Sequence, residues 1–342
     1  MGALEGKVAV VAGATRGAGR GIARMLGEAG ATVYCTGRSV QGRPASGDRP
    51  ETIEETAELV TAAGGVGRFM RADHSKPEEV QAVFARVKEE AGRLDILVND
   101  IWGGEELMEW RPFWRLDPEK GFKMLDGAVR THILTSRYGA PLMVEQKSGL
   151  IVEVTDGAHS RYRGALFYDL AKMGPIRLAQ DMAIELAPHG VTAAAVTPGF
   201  LRSEMMLDRF GVTEANWTDA IAGHRGFEES ETPCYVGRAV AALAADPLVA
   251  AKSGKAFASW ELAREYGFTD VDGRQPDWHG YIRRSMEEIL ARGGPADEGE
   301  RRWLGAWIAM KDEPGWGELI TRAHAALERG RSTVAAKTQT GS

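Results

Sequence analysis

Residues 7–22, Lys7-Val8-Ala9-Val10-Val11-Ala12-Gly13-Ala14-Thr15-Arg16-Gly17-Ala18-Gly19-Arg20-Gly21-Ile22, decide the fold. A β-branched apolar run (7–12) passes directly into a glycine-rich turn, and the apolar positions of 22–26 then recur at helical spacing. The segment reads as strand, tight turn and helix. Gly13, Gly17 and Gly19 let the chain turn sharply and let a diphosphate approach the backbone, where free N–H groups and the helix dipole favour negative charge. A glycine cluster alone is as often an ordinary turn. Its position at a first β-to-α turn makes it informative here.

The alternation continues along the chain. Short apolar runs at 31–36, 66–71, 94–98, 150–154 and 191–196 read as strands, with helical segments in each gap. Such a series predicts an α/β architecture, a doubly wound parallel sheet covered on both faces. Ser75-Lys76-Pro77-Glu78 carries the hydroxyl, proline and carboxylate of a helix start, and 51–63 has acidic residues in its first turns. Polar residues 39–50 and aromatic-rich residues 101–116 read as long loops, a length more often functional than decorative. The domain organisation expected is a dinucleotide-binding and catalytic domain over 1–280, a helical extension over 281–330 and a flexible tail over 331–342.

Composition narrows the function. In 342 residues, 44% are hydrophobic and 26% charged, which suits a globular protein with a sizeable core. Lys and Arg number 42 against 48 Asp and Glu, a net charge of -6 with no basic block, so no nucleic-acid partner is expected. Cys35 and Cys234 stand far apart, as in a reducing compartment. Residues 1–6 lack a basic-then-apolar signal and no run approaches the length of a membrane span, so the expected location is the cytoplasm, with no membrane partner. The seven histidines show no metal spacing, and neither G-x-S-x-G nor G-x-x-x-x-G-K-[ST] occurs. Zinc-enzyme, serine-hydrolase and kinase readings fall, and no metal is expected.

At the end of the second strand a dinucleotide fold places either an acid for a ribose 2′-hydroxyl or a cation for a 2′-phosphate. This chain has Gly37-Arg38-Ser39, and Arg16 stands inside the glycine turn. Two planar cations predict NADP(H). Asp73 and Asn99 follow the third and fourth strands at the same carboxyl edge; each also suits a turn role.

Tyr168 and Lys172 lie one helical turn apart and so share a face. In isolation that pair is ordinarily a packed ring beside a solvated amine. Its company decides otherwise. The glycine turn, Asn99, Tyr168/Lys172, and Pro198-Gly199 followed by Ser203 resemble, in order and separation, the short-chain dehydrogenase/reductase superfamily over about residues 6–264. A narrower likeness, to the group around human dehydrogenase/reductase family member 1, rests on 36–39 (TGRS), 52–58 (TIEETAE) and 262–274 (LAREYGFTDVDGR).

The resemblance implies a Rossmann sheet in the order 3-2-1-4-5-6-7, and NADP(H) held by Gly13, Thr15, Arg16, Gly17, Ala18, Gly19, Arg38, Ser39, Asp73, Asn99, Tyr168, Lys172, Pro198, Gly199, Phe200 and Ser203. It implies Tyr168 as proton donor, its anion favoured by the Lys172 ammonium, and a homodimer or homotetramer. Two departures stand out. The family's hydroxyl at the end of the fifth strand is replaced by Thr155 or Asp156. Thr155 keeps a donor and is the preferred candidate; Asp156 fits the strand register better but brings negative charge towards the phenol, unless it is protonated or meets a cation such as an iminium. The family's helical Asn is missing near Ala128.

The expected activity is NADPH-dependent reduction of a ketone or imine on a bulky, largely apolar small molecule, with Trp102, His159 and Phe200 as pocket candidates and further aromatics at Trp110, Trp114 and Phe167. The alternative is a cofactor-binding protein of the same fold with lost or altered activity.

Overall fold

The computed structural model describes residues 2–45, 49–158, 162–308 and 315–339. Strands β1 (Val8–Ala12), β2 (Thr32–Gly37), β3 (Val66–Arg71), β4 (Ile96–Asn99), β5 (Gly149–Val154) and β6 (Val191–Thr197) fall where the apolar runs predict them. β7 (Phe200–Leu201) and β8 (Ser230–Glu231) form a separate two-stranded pair, and β9 (Ala256–Ala258) closes the main sheet. The seven-stranded order is β3-β2-β1-β4-β5-β6-β9, all parallel. The expected order therefore holds, with β9 as the seventh strand, a three-residue element too short to show a period.

The helices are α1 (Gly17–Glu28), α2 (Ile53–Ala62), α3 (Pro77–Ala91), α4 (Pro118–Leu125), α5 (Thr131–Gln146), α6 (Leu166–Leu186), α7 (Glu204–Arg209), α8 (Pro233–Ala245) and α9 (Ser259–Tyr266), then α10 (Trp278–Ala291), α11 (Glu298–Ile308) and α12 (Gly317–Gln339). Alternate strand residues point to opposite faces. Ala9, Val11, Val33, Val98 and Val152 pack under α1, α2 and α8, while Val10, Leu97 and Ile151 pack under α3, α5 and α6. That double burial is why the strands read as nearly continuous apolar runs. Edge strand β3 departs from the expectation of full cover: Val66 and Phe69 are about half exposed.

One helix start differs from its expectation. Ser75 does not cap α3; Lys76 holds that position, and the Ser75 hydroxyl donates to Asp73 at 2.7 Å, a shorter-range bond than the cap. Thr52, by contrast, forms a capping box with Glu55 at the start of α2. Helix α12 is drawn to Gln339, across the expected boundary at residue 331. The extension begins at Trp278, slightly before the expected boundary, and builds its own core from Ile282, Met286, Leu304, Trp307, Trp316 and Ile320. No helix among the described residues is long and apolar enough to cross a membrane.

Helix α1 meets α8 at glycine. A Cβ on Gly21 would stand 2.0 Å from the Pro233 carbonyl oxygen, backbone that has no rotamer by which to yield. Gly21→Ala should lower stability by about 1–3 kcal/mol through forced separation of the helices. A urea unfolding midpoint equal to the parent's would contradict this contact.

Candidate active site

Gly13 (φ 91°) and Gly17 (φ 58°) adopt the left-handed backbone the turn needs. A Cβ on Gly19 would lie 2.3 Å from the Gly13 carbonyl oxygen, so the turn closes on itself against the end of β4. The Gly17 N–H donates to Glu204 Oε2 at 2.8 Å, and Gly17 also faces Ser203. The positive end of α1 thus already draws a carboxylate, as it would draw a phosphate. Ala18 is buried, leaving only its backbone to contribute, and Thr15 lies against Gly37.

Arg16 Nε donates to Glu51 Oε2 at 3.3 Å while one terminal nitrogen is buried without a hydrogen-bond partner. Burial works against the Glu51 charge, but hydrogen bonds from Arg49 and the nearby Arg16 hold its carboxyl below the usual range. Arg38 is exposed at the end of β2 and makes no ion pair with another described residue. Ser39 is engaged elsewhere, accepting from Ala45 N at 3.1 Å to fix the following loop. Asp73 accepts from the Ser75 N–H at 3.0 Å, the turn role open to it from sequence.

Asn99 is fully buried at the end of β4. Its Nδ2 donates to Ser136 Oγ at 2.9 Å and to Glu153 Oε1 at 2.7 Å, and Glu153 Oε2 lies 2.6 Å from His132 Nδ1. His132 sits one turn past Ala128, which occupies a π-helical turn, Asp126–Arg130, joining α4 to α5. His74, bridging Thr36 and Thr135 at 2.8 Å each, has its pKa pushed down to about 4 by burial, so it stays neutral.

Tyr168 and Lys172 begin α6 beside the ends of β4 and β5. The Tyr168 hydroxyl donates to Asp156 Oδ2 at 2.6 Å. The Thr155 hydroxyl instead donates to the Lys172 carbonyl oxygen. At the end of β5 the backbone register turns Thr155 towards the α6 backbone and Asp156 onto the phenol. The Lys172 ammonium stands 3.8 Å from the centre of the Trp102 ring. Burial lowers its pKa, against the opposing pull of Asp156, Asp100 and Glu105. Arg163 braces the same segment, donating to the carbonyl oxygens of Asp156 and Gly157 and pairing with Asp169 at 2.9 Å.

Trp102 and Trp110 flank the phenol, with ring centres 5.9 and 6.2 Å away. Beside it lies a pocket lined by Leu107, Leu116, Met124 and Phe167. Trp114 is 70% exposed and packs on Phe113 outside this group. Phe200 belongs to a different cluster, stacked on His224 at 5.1 Å and in contact with Phe227. His159 lies outside the described residues.

At the end of β6, Thr197 donates to the Pro198 carbonyl oxygen at 2.9 Å, and beyond it the Gly199 N–H donates to Glu231 Oε2 at 2.8 Å, which also accepts from Ser259 Oγ at 2.6 Å. Ser203 caps α7 by accepting from Met206 N. Asp100, Glu204 and Glu231 escaped the sequence reading. Asp100 had a signal, its place directly after Asn99 at a strand end; isolated glutamates on short elements have none. Burial pushes Asp100 up to about 7 against Lys172, and Glu231 up to about 8 against Ser259 and the Gly199 N–H. Among the described residues no group of His, Cys, Asp and Glu suits a metal ion.

A family model described as short chain dehydrogenase matches residues 7–210, the stretch that builds this site. The chain belongs to the short-chain dehydrogenase/reductase family. It is 35% identical over 276 residues to dehydrogenase/reductase SDR family member 1 of Homo sapiens, covering 79% of this chain and 85% of that one. It is 29% identical over 244 residues to a 7alpha-hydroxysteroid dehydrogenase of Clostridium sardiniense, covering 71% and 88%. Among solved structures of the family, a variant of the actinorhodin polyketide ketoreductase with NADPH superposes with a TM-score of 0.59 at 25% identity, covering 74% of this chain and 95% of that one. Membership makes this chain an oxidoreductase of the family's fold.

Glu231 yields a pH signature. Its carboxyl stays protonated in the fold up to about 8 but ionises in the unfolded chain above its ordinary 4.5. Between those values the unfolded state binds fewer protons, so stability falls as pH rises. Glu231→Gln removes this loss, and calorimetry at pH 5 and pH 8 should find the variant gaining on the parent across the interval. A pH-independent difference would contradict the assignment.

Proposed function

We propose that this chain is an NADPH-dependent reductase of a carbonyl or imine group on a bulky, largely apolar small molecule. The observation that carries the reading is the Tyr168/Lys172 pair standing at the carboxyl edge of the sheet with the glycine turn, where open α/β sheets bind their ligands. The residues present fit a phosphorylated dinucleotide. The Gly17 N–H is already seated on a carboxylate, a terminal nitrogen of Arg16 is buried without a partner, and Arg38 is open at the end of β2.

Gly13, Gly17, Gly19 and Arg16 would hold the diphosphate, Arg38 the 2′-phosphate, and Lys172 the nicotinamide ribose, with the Pro198 to Phe200 backbone and Ser203 at the carboxamide. When bound, the reduced nicotinamide supplies hydride. Tyr168 then supplies a proton from its hydroxyl. A phenol ordinarily titrates near about 10, and a neighbouring ammonium favours its anion. Glu231 fixes the Gly199 N–H, so the segment carrying Phe200 is held rigid. Trp102 and Trp110 stand beside the phenol and suit an apolar skeleton. The reading also proposes a cytoplasmic homodimer or homotetramer.

A second reading, a cofactor-binding protein without turnover, draws on the engagement of the Tyr168 hydroxyl by Asp156. A panel of ketones and imines separates the two. NADPH consumption should occur, and Tyr168→Phe should lower kcat/KM by about 10²–10⁴-fold. Tight NADPH binding with no consumption across the panel would establish the second reading instead. For the cofactor, kcat/KM with NADPH should exceed that with NADH, and Arg38→Ala should erase about tenfold or more of the difference, the worth of one charged hydrogen bond. A parent enzyme that prefers NADH would overturn the NADP assignment.

A further inference from the structure

Strand residues two apart share a face, so Glu153 of β5 points where Ile151 points, into the layer of α3, α5 and α6. An acid there is wholly buried and needs partners. It has two. Asn99 Nδ2 donates to its Oε1 at 2.7 Å, and Nδ1 of His132, the second residue of α5, lies 2.6 Å from its Oε2.

The far side of the imidazole shows what this pair holds. His132 Nε2 lies 3.1 Å from the Ile101 carbonyl oxygen. A carbonyl oxygen only accepts, so Nε2 carries a proton, and a second proton lies between Nδ1 and Glu153. With both nitrogens engaged, the ring is an anchor rather than a proton carrier. It anchors the exit from β4. The ladder ends where the Asp100 N–H donates to the Ala12 carbonyl oxygen, and the next backbone bond along the chain runs from the Leu107 N–H to the Gly104 carbonyl oxygen. Among the described residues, the bond from His132 is the one hydrogen bond that residues 101–103 make.

That bond fixes the peptide plane between Ile101 and Trp102, and with it the direction in which the Trp102 side chain leaves the backbone. Once its root is set, the ring packs on Met124, Ala128 and Ala171. It then carries the Lys172 ammonium 3.8 Å from its centre and stands edge-on to Tyr168 at 5.9 Å. Loss of water works against the Lys172 charge, and among the described residues its ammonium meets no hydrogen-bond acceptor. The ring face is the compensation within reach.

We propose that His132, held by Glu153, is a positioning residue for the Tyr168/Lys172 pair: by anchoring the Ile101–Trp102 peptide it sets the aromatic face on which the Lys172 ammonium rests. The effect on turnover rests on the reductase reading above; the placement of Lys172 does not. A pair that served only the stability of the core would leave Lys172 where it is when the anchor is removed.

Two variants separate these roles. Glu153→Gln keeps the anchor, because its amide oxygen accepts from Asn99 and its N–H donates to Nδ1, leaving the Nε2 proton on Ile101. His132→Phe combined with Glu153→Gln keeps a ring, removes the donor and leaves no unpaired carboxylate in the core. In the cofactor-free protein with isotope-labelled lysine, the Lys172 methylene beside the ammonium should resonate upfield in the ring current of Trp102, the signal being identified by its absence in Lys172→Arg and its displacement in Trp102→Leu. It should remain upfield in Glu153→Gln and move to the ordinary lysine position in the double variant. With NADPH and a ketone or imine that the parent reduces, kcat of the double variant should be about 10–10²-fold below that of Glu153→Gln, the loss a displacement of about 1 Å can cause, while KM for the ketone or imine changes little. In the parent with isotope-labelled histidine, the ring that responds to Glu153→Gln should carry a proton on Nε2. A Lys172 signal that stays upfield in the double variant, or a kcat equal to that of Glu153→Gln, overturns the proposal; an unprotonated Nε2 does so even if the double variant does not fold. A parent that consumes no NADPH across the panel removes the reductase reading and the effect on turnover with it, while the Lys172 signal still decides whether His132 sets its place.

Discussion

There is no room for a side chain between the β1–α1 turn and the strand beside it. A Cβ at Gly13 would stand 2.2 Å from the Asp100 carbonyl oxygen, and one at Gly19 would meet Gly13 itself. This close approach brings the end of β4 under the start of α1. The Gly13 and Ala14 N–H groups are spent on the Thr36 carbonyl oxygen and the Gly17 N–H on Glu204, and Lys172 is close enough for Asp100 to act on its charge. The glycines are therefore more than flexible points; they set the distance between the anion seat and the proton-carrying residues.

Around that mouth the chain concentrates carboxyl groups. Glu204 sits on the Gly17 N–H, Asp156 on the Tyr168 hydroxyl, Glu231 on the Gly199 N–H and Glu153 on Asn99 and His132. Buried acids are costly unless hydrogen-bonded or neutral, and each of these meets at least one donor. Their common effect is to fix the backbone and side chains that surround the reacting position.

Much of the fold was legible because its signals are local. The runs that became β1 to β6 are apolar on both faces, and Thr52 with Glu55 forms the cap that begins α2. Tyr168 and Lys172 could be paired from spacing alone, since one helical turn sets their common face. The choice between Thr155 and Asp156 could not be made this way. Adjacent residues at a strand end point in different directions, and only the packing of α6 against β5 showed which hydroxyl or carboxyl met the phenol. Phe200 and Trp114 were drawn towards the pocket by their aromatic character, yet each packs with a different partner group.

By itself the sequence determined the order of elements, the glycine turn and the helical pair, because these depend on residues within a few positions of one another. Tertiary structure alone decided that Asn99 serves the core, that Glu204 occupies the start of α1, and that Glu231 holds Gly199. Those contacts join residues 37, 187 and 32 positions apart. Hydrogen bonds of that range follow from how the strands and helices are stacked, and no periodicity along the chain encodes them.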